Sequence, residues 1–151
     1  MHAAFYKAIR PGLGALYSHA VRIVDHGPYS HCELVFSDGV SASASWVDGG
    51  TREKRIAYRR GHWDALALPD HLEPRARQWV RDHMGLPYDL AGNLRFVLPI
   101  VPQDPCAWFC SEFLGGALAW HEPERYGPNG AAALIRTMYP QPAESGFFFA
   151  L

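Results

Sequence analysis

A chain of 151 residues, 48% apolar and 19% charged, has room for one domain with a substantial core, and this composition excludes the disordered and low-complexity classes. A formal net charge of -1 gives no electrostatic case for a polyanionic partner, and the basic run from Arg52 to Arg60 is broken by Glu53, Ile56 and Ala57, so nucleic acid is not expected. The first nine residues lack a basic, apolar leader and no stretch of about 18 apolar residues exists, so the expectation is no transmembrane segment and a cytoplasmic product as synthesised, with a lysis or phage export route left open.

Ala3 to Ile9 reads as a short extended segment ended by Pro11, Gly12 and Gly14. Leu16, Ala20, Ile23 and Val24 fall at helical spacing and predict a helix over 15–24, with His26-Gly27-Pro28 closing it. Ser30 to Ser37 is rich in strand formers, Asp38-Gly39 marks a hairpin, and Val40 to Trp46 resumes extended structure. Asp48-Gly49-Gly50 turns the chain into Thr51 to Tyr58, and Trp63 to Leu68 reads as a further strand that Pro69 stops. Pro74 opens a second helix with Ala76, Trp79, Val80, His83 and Met84 on one side and Gly85 as its stop. Asp104-Pro105 is expected to cap a helix running to about Trp120, with Cys110 inside it or at its start. Asn129 to Met138 reads as a last helix, and the apolar tail Phe147 to Leu151 as an edge strand or core plug. The sum is one α+β domain, an antiparallel sheet of about four to six strands covered by helices, with no repeat and no linker.

Three cysteines, Cys32, Cys106 and Cys110, are an odd set in a chain large enough to fold without staples, so at least one free thiol is expected. A thiol attacks carbonyls as thiolate, and a helix N-terminus plus an imidazole are the groups that make one. Cys110 shares a helical face with Phe113, Leu114, Ala117 and Leu118, which turns its sulfur towards the sheet. His31 opens a strand, where one ring nitrogen can stay available at the sheet edge, and is the best base. Glu33, two residues on and therefore on the same face, is the first choice to orient the ring; Ser41 and Ser43 on the next strand are rivals.

Each of these residues has a plainer reading. Cysteine on an apolar helix face is most often core, and Cys32, facing away from His31, is read as core packing. Cys106 and Cys110 lie four apart, yet no second pair completes a tetrahedral site, so neither metal nor other cofactor is expected. Glu112 is either a substrate-side charge or a helix-surface residue with a basic neighbour. His19, His26, His62, His71, His83 and His121 are scattered over helices and loops, where solvated or structural roles are usual. Trp46, Trp63, Trp79, Trp108 and Trp120 are read as core and cleft wall before any sugar platform.

Tyr29-Ser30-His31-Cys32-Glu33-Leu34-Val35-Phe36 with Asp38-Gly39, the Gly85-Leu86-Pro87-Tyr88-Asp89 loop, and Phe109-Cys110-Ser111-Glu112-Phe113 together resemble the signature pieces of circularly permuted NlpC-type papain-like enzymes. The order His before Cys is the permuted one, and the resemblance spans about residues 15–118. It implies a papain-like fold and a cysteine peptidase or amidase that cleaves an amide through a thioester, often in peptidoglycan stem peptides. It also implies that Tyr88 lines the cleft, where its hydroxyl can hold a substrate carbonyl or amine; otherwise it is a partly buried loop aromatic. Many relatives carry a carboxylate, amide or second imidazole on the strand after the His, where this chain has Ser41-Ala42-Ser43-Ala44-Ser45. Two other readings stand beside it: a lecithin-retinol acyltransferase-like lipid acyltransferase or thiol esterase, and a non-catalytic binding or virion component on the same scaffold.

Overall fold

The computed structural model describes residues 1–9, 12–94, 104 and 106–142, without the side chains of 13, 14, 16, 17, 93 and 94. The expected turn residue Pro11, the Leu16 side chain, Pro105 and the tail 147–151 lie outside the described residues. Five strands form one antiparallel sheet: β1 (His2–Tyr6), β2 (His31–Val35), β3 (Val40–Ser45), β4 (Gly50–Arg55) and β5 (Trp63–Ala67), in the order β4-β3-β2-β1-β5. The helices are α1 (Leu13–Val24), α2 (Glu73–Asp82), α3 (Leu90–Leu94), α4 (Cys110–Ala117) and α5 (Pro128–Met138). Among the described residues no helix is long and apolar enough to cross a membrane.

Period-two alternation decides which side chains meet the helices. Ala3 and Phe5 of β1, Cys32 and Leu34 of β2 and Ala42 and Ala44 of β3 join the core with Cys110, Phe113, Leu114 and Ala117 of α4. The alanines of the Ser41-to-Ser45 run point into this core, and their small side chains let α4 lie close over β2 and β3. Burying Phe113 and Leu114 completely contributes about 1.5–3 kcal/mol each. On its other side α4 meets α2, where Gly116 leaves room for the Trp79 ring; a Cβ at Gly116 would stand 2.4 Å from that ring.

Of the two starts that the sequence leaves open for the helix carrying Cys110, the structure takes the one at Cys110 itself, because the preceding backbone is already paired elsewhere: Trp108 N–H donates to Pro87 C=O at 3.1 Å and Trp108 C=O accepts from Asp89 N–H at 3.0 Å. Phe109 is therefore extended (φ -104, ψ 167), and Asp104 instead accepts from Cys106 N–H in a turn ahead of the helix. α1 forms over the expected span, but Ala20 and Ile23 face solvent. Among its described side chains, Arg22 donates to Lys7 C=O and Ala8 C=O, and Asp25, at its end, accepts from Asn129 N–H. Met84, placed on the buried side of α2 by periodicity, lies beyond its end and is exposed.

The Leu86-to-Asp89 loop is clamped between β4 and the approach to α4. Gly50 bridges Pro87, Thr51 N–H donates to Leu86 C=O at 2.9 Å, and Tyr88 pairs with Trp108. A Cβ at Gly50 would stand 2.1 Å from the Leu86 carbonyl oxygen, backbone that has no rotamer to give way. Gly50→Ala is expected to lower stability by about 1–3 kcal/mol, read as a lower denaturant midpoint at unchanged slope. An unchanged midpoint would show that this clamp is dispensable.

Candidate active site

The site forms where β2 and β3 stop pairing. Their ladder holds only at Leu34↔Ala42 and Val35↔Ser41, whereas β3 and β4 stay paired through Ser45↔Gly50. At the His31 end the Ser43 hydroxyl bridges instead, donating to Cys32 C=O at 2.7 Å. The first residue of α4 arrives at this opening. Cys110 lies close enough to His31 and to the Cys32 thiol and backbone N–H for all three to favour its anion. A helix start adds backbone N–H groups with no intrahelical acceptor and the positive end of the helix dipole, both favouring an anion at this position.

His31 Nε2–H donates to Glu33 Oε1 at 2.8 Å, which leaves Nδ1 for the sulfur. The strand period that put Glu33 on the His31 face thus brings the carboxylate to the ring. Both rivals are engaged elsewhere, Ser41 with the Tyr58 hydroxyl at 2.7 Å and Ser43 with Cys32 C=O. The Trp63 ring packs edge-on to the imidazole, with centroids 6.3 Å apart. Cys110 is 2% exposed and His31 6%, so the pair is shielded from bulk water.

The electrostatics follow from these contacts. The Cys32 thiol donating to Cys110 is the largest influence on it; with the His31 charge it outweighs burial and holds Cys110 well below the ordinary thiol range. Burial pushes Cys32 well above that range, and the neighbouring Cys110 anion adds to the effect, so Cys32 stays a protonated donor. Burial alone would lower His31, but the Cys110 thiolate and the Glu33 carboxylate overcome it and raise the ring. Burial would raise Glu33, yet the hydrogen bonds from Arg52 and His31 keep it below the usual carboxylate range. All four directions favour a negative Cys110 and Glu33 around a positive His31, with Cys32 neutral.

The remaining sequence candidates fall in different places. Tyr88 is half-buried against the core and sits on the strand-like bridge to Trp108, two residues before the thiol. Glu112 is not a helix-surface residue: it is buried, and its Oε2 accepts from Phe109 N–H at 3.3 Å, satisfying the backbone that leads into α4. Its carboxylate serves the helix start. Cys32 does pack in the core as expected, and in addition lies close enough to Cys110 to influence it, which its alternation away from His31 did not suggest. Cys106 is exposed, and no group of metal-ligating side chains occurs among the described residues. The five tryptophans form no single cluster: Trp79 and Trp108 pack with His83 and Phe113, Trp63 with Tyr6 and Tyr58, Trp120 with Tyr126, and Trp46 is exposed.

Arg52 was not a sequence candidate. It crosses from β4 over β3 to Glu33, with Nη1 donating to Oε2 at 2.6 Å and Nη2 to Oε1. The path is open because Ser43, its partner in the β3–β4 register, is small. A face of alternating serines between a carboxylate and an arginine was the available signal.

Comparisons with known proteins give no matching family model, no matching curated protein and no matching solved structure.

If the contact with His31 holds the proton away from Cys110, thiolate absorbance in the far ultraviolet should be present at neutral pH and vanish in Cys110→Ser. In His31→Ala it should appear only at higher pH, because a charge that favours the anion is gone. Equal titration of the wild type and His31→Ala would mean that the imidazole does not act on the thiol.

Proposed function

We propose that this protein is a cysteine hydrolase on a permuted papain-like scaffold, with Cys110 as nucleophile, His31 as its base and Glu33 as the orienter of the ring. What supports the reading is that buried Cys110 opens α4 where His31 favours its anion, while Glu33 holds Nε2 of the His31 ring at 2.8 Å. A soluble core has no use for such an arrangement, since a buried charged pair costs several kcal/mol of desolvation that apolar side chains would avoid.

In this mechanism the thiolate attacks an amide carbonyl, the Cys110 backbone N–H at the helix start stabilises the oxyanion, and His31 passes its proton to the leaving amine. His31 then takes a proton from water, and the resulting hydroxide attack releases the acyl group from sulfur. Tyr88, on the loop clamped beside Trp108, is placed to contact a substrate carbonyl or amine. A peptide or amide of the cell-wall stem-peptide type is the favoured substrate, by analogy with the enzymes the motifs resemble.

One observation favours acyl transfer from a lipid as a second reading. Trp46 and Val47 are exposed, 46% and 73%, in the turn after β3, at the same end of the sheet as His31. An apolar rim there suits an amphiphilic substrate.

Iodoacetamide at neutral pH is expected to modify Cys110 ahead of the exposed Cys106, with His31→Ala slowing the reaction on the order of 100-fold. Release of cleaved stem peptides from peptidoglycan supports the amidase, and loss of an acyl chain from phospholipid the transferase. Faster labelling of Cys106 than of Cys110, unaffected by His31, would leave only a binding domain.

A further inference from the structure

Glu33 is 1% exposed and carries one hydrogen bond from His31 and two from Arg52 on its two oxygens. A buried carboxylate facing an imidazole alone would be a full negative charge in a medium that amplifies it, and would hold the ring proton strongly. The Arg52 fork changes that balance. Its third donor, Nε, bonds Asp48 Oδ2 at 2.8 Å, while Lys54 Nζ reaches both Asp48 oxygens at 2.8 and 2.6 Å. Asp48 is thus matched by Lys54, which leaves the charge of Arg52 for Glu33.

We propose that Arg52 is a positioning and charge-compensating residue of the site: the Arg52–Glu33 pair presents His31 with a net-neutral acceptor, the electrostatic equivalent of an amide side chain. This rests on the Cys110–His31 reading above. The planar fork also fixes the carboxylate, so that Oε1 stays in line with His31 Nε2; a lysine is a single charge point without that geometry.

The other titratable groups around the site, among the described residues, leave this balance intact. Cys110 on α4 supplies the anion that the imidazolium pairs with, and Cys32 on β2 is a neutral thiol. Tyr58, after β4, hydrogen-bonds Ser41, and burial keeps its phenol protonated. Asp25, at the end of α1, lies near Cys110 but is held by Asn129 N–H and Nδ2 at 2.6 and 2.8 Å. Glu33 and Arg52 are therefore the two charges whose removal should move His31 in opposite directions.

The test is a proton titration of His31 followed by the NMR resonance of its ring carbon, alongside the pH dependence of Cys110 alkylation. Glu33→Gln keeps an acceptor for Nε2 and leaves Arg52 uncompensated, so the His31 midpoint should fall by about one pH unit. Arg52→Gln leaves Glu33 uncompensated, so it should rise by about as much. The double variant, E33Q with R52Q, should return the midpoint to the wild-type position. Should Arg52→Gln fail to fold, Glu33→Gln and the double variant still decide, because only a felt charge on Arg52 makes them differ. Identical midpoints in Glu33→Gln and the double variant would overturn the inference. Failure of the underlying reading is seen separately: Cys110 alkylation in the wild type would then not follow the state of His31, whatever the resonance reports.

Discussion

A helix that begins on a cysteine, set against a strand that begins on a histidine, is the constraint on which the rest of the site depends. Moving the start of α4 by one turn would carry Cys110 away from both the β2–β3 opening and the free N–H groups of the helix end. The register is set from outside the helix. Trp108 pairs with the Leu86-to-Asp89 loop, that loop is pinned to β4 at Gly50 and Thr51, and β4 pairs with β3. Buried Glu112 completes the start by accepting from Phe109 N–H. The position of one sulfur is thus fixed through a chain of backbone hydrogen bonds that returns to the same sheet that carries the histidine.

The same sheet supplies the electrostatics. One face of β2 and β3 is small or apolar and receives α4; the other carries Glu33 and the serines, with Arg52 crossing over Ser43 from the next strand. Because the ladder between β2 and β3 ends early, Cys32 N–H and the His31 ring can both turn to the sulfur arriving from the helix. Cys110, His31, Glu33 and Arg52 follow one another so that each favours the opposite charge on its neighbour. That alternation is how ionised side chains persist in a poorly solvated place.

Much of this was legible in the sequence where local rules decide. Asp38-Gly39 between two extended runs gave the β2–β3 hairpin, and period-two alternation put His31 and Glu33 on one face, which is what lets the carboxylate reach the ring. The face of α4 from Cys110 to Leu118 also followed from helical spacing. What escaped was tertiary. The choice between the two starts left open for α4 depends on Trp108 being paired with the Leu86-to-Asp89 loop, and local spacing does not record that pairing. Arg52 escaped because its partner lies two strands over, and in α1 the helical period grouped Ala20 and Ile23, which the fold leaves exposed, while Arg22 and Asp25 make polar contacts with the domain.

Cys110, as the proposed nucleophile, should work through an acyl intermediate. That is tested most directly by mass spectrometry of the intact protein mixed rapidly with an activated acetate ester. An acetyl group should appear on Cys110 within the first turnover and decay as free acetate forms, with much slower appearance when His31 is replaced. Acetylation confined to lysines or to Cys106, with Cys110 unmodified throughout, would contradict it.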